Sequence, residues 1–434
     1  MGSIQTIQAI GILAVFIISV ILMMTKKVPT ILALPIMGVV FALIAGVPFM
    51  SSNAETYTIA KNVLEAGAMK MSTAIAGLIF GAWFGQILSK VGVTKSIIKK
   101  AAELAGDKPL GIAITFFVAA SVIFSASSGL GMVILVGTII IPIMLTAGLS
   151  PLVSAMVLLL ANAVGVTFNV SNWGVYTDVV KLPVNTVAAY TLIPAIPLIV
   201  VSLAMIVFYT KKGGRSKRAW AMPIKNEVIN NDNKNVRAIA MISPIIPVVL
   251  VFAFKLTIVP SIFIGAAIAI LLATPKRPIH VLSSALIDGI QDVAGAMGLM
   301  IGIGILLNSV MAPQVATIIE PLIKAIIPTS PIAYILIFTV LAPLAIYRGP
   351  LNVWGLGSGI AALMISAGMN PIAAMLALRI DSNLQAVCDP TNSHNVWAAD
   401  FTKTDINEIL KKTIGWLLVA VLISMIVASF VVFK

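Results

Sequence analysis

Two polar stretches interrupt apolar sequence where a helix would otherwise run on: FSASSGLGMVILVG at Phe124–Gly137 and IYRGPLNVWGLG at Ile346–Gly357. The second carries Arg348, whose planar guanidinium matches a carboxylate through two parallel N–H···O bonds. Gly349 beside it lets a ligand approach the backbone closely, and Asn352 adds an amide. The first stretch offers the Ser127 and Ser128 hydroxyls and Gly129. Two more clusters follow, NVSNWG at Asn169–Gly174 and DPTNSHN at Asp389–Asn395. They add Asn172, Asn392, Ser393 and His394, a lone loop histidine of the kind that more often serves as a hydrogen-bonding residue than as a proton carrier. These residues form a candidate anion site. A second subset suits a hard cation, which prefers oxygen ligands: Asn162, Asn169, Ser171, Asn383 and Thr391. Asp381 is an acid well inside an apolar run, where it either couples transport to an ion or pairs with Arg379 or Arg348. Arg379 lies two positions away and does not share its helix face.

The sequence around these residues is that of a membrane protein. Of 434 residues, 60% are hydrophobic and 10% charged, where a soluble domain carries about a quarter charged; mean hydropathy is +1.09. Apolar runs near the length of about twenty residues that spans a bilayer recur from end to end. The fold class expected is all-α and polytopic, and the longest polar stretch is Lys211–Arg237. A net charge of +13 does not signal nucleic acid here, because the positive residues flank the apolar runs as the positive-inside rule predicts. The single cysteine, Cys388, excludes an intramolecular disulfide or a multi-cysteine metal site. No Walker A loop, HExxH or nucleophile elbow is present, so neither ATP-driven transport nor hydrolysis is supported and no enzyme is expected. The first run, Ile7–Met24, lacks a basic start and reads as a retained helix.

The polar stretches are related. An offset of 220 positions pairs Gly129 with Gly349, Gly137 with Gly357, Ala147-Gly148 with Ala367-Gly368, Pro151 with Pro371 and Asn172 with Asn392. GLIFG at Gly77–Gly81 loosely matches GLMIG at Gly298–Gly302. An internal repeat in a membrane protein points to a transporter. It divides the chain into residues 1–210, a cytoplasmic basic linker 211–237, and residues 238–434. In the first unit, spans are expected at Ile7–Met24, Ile31–Pro48 and Thr73–Leu88, with Ser51–Met69 as an outer loop and a lysine-rich surface helix after Leu88. A re-entrant hairpin, Leu110–Leu145, precedes a broken span from Pro151 and a span at Val187–Tyr209. The second unit repeats this order with opposite orientation: Ala238–Phe254, Ile258–Ala273, Val293–Met311, a surface helix, a hairpin at Ala333–Ile365, a broken span from Pro371, and Ile414–Phe433. A hairpin rather than a single crossing puts the basic linker on the favoured side and both termini outside a cytoplasmic (inner) membrane. Irregular backbone at membrane depth is tolerated only inside protein or along a watery cavity. The four breaks are therefore expected to meet near the midplane, where helix N-termini attract anions and freed carbonyls attract cations. Any one of them alone reads better as a packing kink.

At these residues the chain resembles the ion transporter superfamily, which includes the divalent anion–sodium symporters, the citrate and C4-dicarboxylate carriers and the gluconate permeases. Ser171–Trp173 and Thr391–Ser393 look like degenerate Ser-Asn-Thr signatures of the divalent anion symporters, and TNSHNVWAAD is similar to a gluconate permease segment. The resemblance implies an elevator-type homodimer that carries a di- or tricarboxylate or sugar acid, coupled to Na+ or H+, with no other cofactor. The rival reading is a cation/proton antiporter, which usually needs several core acids.

Overall fold

The computed structural model describes residues 3–25, 27–53, 55–212 and 236–433; the side chains of Ser3 and Arg348 lie outside the described residues. Most of the basic linker and the side chain of one expected anion-binding residue are thus not placed. Among the described residues the ordered elements are helices, and seven are long and apolar enough to cross a membrane.

Proline and small polar residues set where these helices begin. Pro109, Pro151, Pro278, Pro331 and Pro371 occupy first-turn positions, where a missing N–H costs nothing. The Ser150 hydroxyl accepts from Val153 N and the Asn370 carbonyl from Ile372 N, satisfying donors that the first turn leaves free. The preceding helices end alike. Gly148 and Gly368 take φ of +92° and +104°, a region glycine enters without strain. The next amides, Leu149 N and Met369 N, reach back to Met144 O and Met364 O, closing the last turns.

The first hairpin comprises helices Pro109–Ala126 and Leu130–Thr146. Asn169 at the end of helix Pro151–Phe168 donates to Phe124 O at 3.2 Å, and Gly165 packs on Ser121 and Phe124. Helices Pro109–Ala126 and Pro151–Phe168 therefore end side by side, and the helix between them runs back. The break is only residues 127–129. The second hairpin is less regular: Pro331–Leu341, a 3-10 segment Ala342–Arg348, an irregular loop, then Gly357–Ser366. Tyr334 Oη donates to Ala373 O at 2.9 Å, which sets the start of this hairpin beside the start of helix Pro371–Cys388. Both broken spans are short interruptions: Pro151–Phe168 continues as Val170–Val180, and Pro371–Cys388 as Ser393–Thr402.

Two expectations need correction. The expected loop Ser51–Met69 contains a π-helical turn, Ile59–Glu65, that leads through Ala66–Met69 toward Ser72–Lys90. The helix expected from Val293 begins at Pro278 and runs to Val310. Its polar first half is hidden from a hydropathy reading because Asp288 pairs with Lys90 at 2.7 Å and Asp292 accepts from Gln86 at 2.7 Å. The two halves also interlock: helix Pro278–Val310 packs along Thr30–Ile44 and Ser72–Lys90. Glycine permits the approach, since a Cβ on Gly289 would lie 2.7 Å from Trp83 N.

Candidate functional site

A cavity of about 440 Å³ opens where the first hairpin tip, both helix breaks and the long helix Pro278–Val310 converge. That volume lies within the range of small-molecule sites. Of the residues singled out by sequence, Ser128, Gly129, Asn162, Asn172, Asn383, Asn392, Ser393 and His394 line it. Asn172 Nδ2 reaches the Ser128 hydroxyl at 3.4 Å, joining the hairpin tip to the first break. Asn392 and His394 pair at 2.9 Å, so the Asn392 side chain does not cap helix Ser393–Thr402.

The remaining expected residues are held elsewhere. Ser127 and Ser171 are buried against Gly85 and Gly81, where any Cβ would collide with their hydroxyls. The glycine stripe Gly77, Gly81 and Gly85 thus seats the break residues on helix Ser72–Lys90. Asn169 is used up locally: its Oδ1 accepts from Ser171 N at 2.9 Å and its Nδ2 donates to Phe124 O. Thr391 donates through N and Oγ1 to Asp389 Oδ1, at 2.8 and 2.6 Å. Of the oxygens expected to suit a hard cation, those of Asn162 and Asn383 line the cavity, and those of Asn169, Ser171 and Thr391 lie in or beside the backbone turns. Asn352 is fully buried, bonded to Ala345 O and Trp354 N. It shapes the second hairpin turn, and Gly349 packs there against backbone carbonyls.

Among the described residues, the cation lining the cavity is Arg379. Only 3% exposed, it donates to Val187 O at 2.7 Å, Thr167 O at 3.0 Å and Thr191 Oγ1 at 2.8 Å. Its guanidinium lies 5.5 Å from the Trp173 ring centroid and 5.6 Å from that of Tyr176, close enough for cation–π attraction. Thr167 O is a carbonyl freed at the helix end, and Trp173 Nε1 donates to it as well. Arg379, Ser382, Asn383 and Ala386 recur at helical spacing and form the cavity face of Pro371–Cys388. That spacing was the available sequence signal.

Asp381 lies on the opposite face, fully buried, with no hydrogen-bond partner for either oxygen among the described residues. The second break holds two more such oxygens. Asp389 Oδ2 and Asn395 Oδ1 are buried and unpartnered, although Asn395 Nδ2 donates to Asp389 O at 2.9 Å. The charged Asp292 also lines the cavity and went unnoticed in the sequence.

Comparisons with known proteins agree on a transporter. The crystal structure of the Alcanivorax borkumensis YdaH transporter superposes with a TM-score of 0.57, covering 94% of this chain and 98% of that one at 13% identity. The likeness is one of fold. The "Uncharacterized transporter YraO" of Bacillus subtilis (strain 168) is 27% identical over 213 residues, which is 49% of this chain and 45% of that protein. The match thus spans about half of either chain. The family model "Tripartite ATP-independent periplasmic transporter, DctM component" matches residues 17–433. The match supports a transporter family and does not specifically support the divalent anion–sodium symporters. The residues that carried that resemblance include Ser171 and Thr391, which serve packing and turn formation. The chain belongs to the DctM component family of the tripartite ATP-independent periplasmic transporters, and it is a secondary transporter rather than an enzyme.

Proposed function

We propose that this transporter moves a small organic carboxylate, bound at Arg379, together with a coupling cation bound near the second helix break. The observation that carries the reading is Arg379 itself: a buried guanidinium that lines the cavity and has no acidic partner among the described residues. Arginine at membrane depth is costly and marks a site by default. Its donors can also serve a carboxylate, with Asn392, Ser393 and His394 at the start of helix Ser393–Thr402 adding polar groups. The orphaned acceptors Asp389 Oδ2 and Asn395 Oδ1 support the cation, because buried oxygens without donors favour a positive charge between them.

The charge bias of the sequence supports a multi-pass protein of the cytoplasmic membrane with both termini outside. The family resemblance supports a homodimer, and the word tripartite in the family description adds further protein components.

The deciding experiment is uptake of labelled succinate, citrate and gluconate into proteoliposomes, under separate sodium and proton gradients, by wild type and Arg379→Lys. The reading requires carboxylate uptake that the lysine variant loses. Uptake indifferent to sodium but driven by a pH gradient moves the coupling role to Asp381. Cation exchange without carboxylate uptake establishes the antiporter reading instead.

A further inference from the structure

Resting on the carboxylate reading above, we infer that the substrate is an amino-carboxylate: its carboxylate is met by Arg379 and its ammonium by Asp292.

Among the described residues the cavity lining holds one arginine and one aspartate, which are not paired with each other. Arg379 spends its observed bonds on neutral oxygens. Asp292 accepts one bond, from Gln86 at 2.7 Å. Neither has an ion-pair partner among the described residues, although the neighbouring Asp288, one helical turn away, is paired with Lys90. Asp292 is placed closely: a Cβ on Gly131 would lie 2.8 Å from its Oδ1 and 3.0 Å from its Oδ2. Its carboxylate therefore stands at the first hairpin tip, beside Ser128 and Gly129, while Arg379 projects from helix Pro371–Cys388.

Among the described lining residues, Arg379 and Asp292 carry opposite formal charges. A ligand with one charge of each sign neutralises both fixed groups. A dicarboxylate satisfies Arg379 but brings its second negative charge toward Asp292, and like-charge juxtaposition is how such sites reject wrong partners. A plain monocarboxylate leaves Asp292 without a counter-charge.

The test uses the purified full chain in detergent and reads thermal stabilisation by four ligands of equal carbon number: 4-aminobutanoate, 2-aminobutanoate, 4-hydroxybutanoate and butanedioate. The expected result is that one of the amino-carboxylates stabilises wild type at concentrations at least about tenfold below butanedioate, the scale of one charge-assisted hydrogen bond. Asp292→Asn erases that preference and Asp292→Glu keeps it. Two outcomes overturn the inference: butanedioate is preferred by wild type, or Asp292→Asn retains the preference. If butanedioate is preferred and Arg379→Lys abolishes its effect, the carboxylate reading stands alone. If none of the four stabilises wild type, the inference falls, and the carboxylate reading is decided by the citrate and gluconate uptake above.

Discussion

The two helix breaks share a turn and differ in what they leave exposed to a ligand. At the first, Asn169 Oδ1 accepts from Ser171 N at 2.9 Å; at the second, 220 positions on, Asp389 Oδ1 accepts from Thr391 N at 2.8 Å. The backbone problem of ending a helix inside protein is solved identically. The second side-chain atom differs. Asn169 Nδ2 donates to Phe124 O and ties the break to the hairpin, whereas Asp389 Oδ2 is buried with no partner. The facing helices differ as well: Arg379 stands where the first copy has Leu159. One copy is closed by its own hydrogen bonds, and the other holds a cation donor and orphaned acceptors. An asymmetric ligand needs only one of two similar frames to be left chemically open.

The largest effect should come from removing what the first copy lacks. Arg379→Ala deprives three oxygens, on Val187, Thr167 and Thr191, of a charged donor. The loss should be on the order of 3–5 kcal/mol, read as a lower melting temperature in detergent. Arg379→Lys keeps the charge and should retain much of that stability while losing carboxylate binding. Unchanged melting in Arg379→Ala would show that these bonds contribute nothing.

Exchanging the break residues sharpens the comparison. Asn169→Asp replaces a donor to Phe124 O by an acceptor, at a cost of about 1–3 kcal/mol. Asp389→Asn makes the second break resemble the first. It should leave the fold intact and remove stabilisation by added sodium, which a sodium titration of melting temperature reads. Sodium stabilisation that survives Asp389→Asn would place the cation elsewhere.

Much of this frame was legible beforehand. The interruptions at Ser127–Gly129 and Asn169, the glycines after each hairpin and the prolines that begin the broken helices are local signals, read from residue type and spacing. Asn172, Asn392, Ser393 and His394 were found because polar groups in an apolar chain stand out. Three features were not legible. Ser127 and Ser171 look like ligands until Gly85 and Gly81, some 40 and 90 positions away, are seen to seat them. Asn169 and Thr391 look free until the turn that consumes them is seen. Asp292 precedes the apolar run from Val293, and only the pairing of Asp292 with Gln86 and of Asp288 with Lys90 shows the segment drawn against another helix. Arg379 was noticed but not chosen, since burial and hydrogen-bond partners are decided by contacts across almost 200 positions.

The smallest effect tests where the two copies should be alike. Ser150 and Asn370, 220 positions apart, each begin a broken helix just before a proline. Ser150 Oγ accepts from Val153 N at 3.3 Å and Asn370 Oδ1 from Ile372 N at 2.9 Å. Neither touches the cavity. Replacing an N-cap side chain by alanine costs about 1 kcal/mol, and sites without shared partners add. Ser150→Ala and Asn370→Ala should therefore lower stability by similar amounts, the double variant by their sum, and ligand stabilisation should stay as in wild type. The shorter bond at Asn370 favours a slightly larger loss there. If one cap proves far costlier than the other, or if either shifts ligand affinity, the difference between the copies extends beyond the breaks into the frame that holds them.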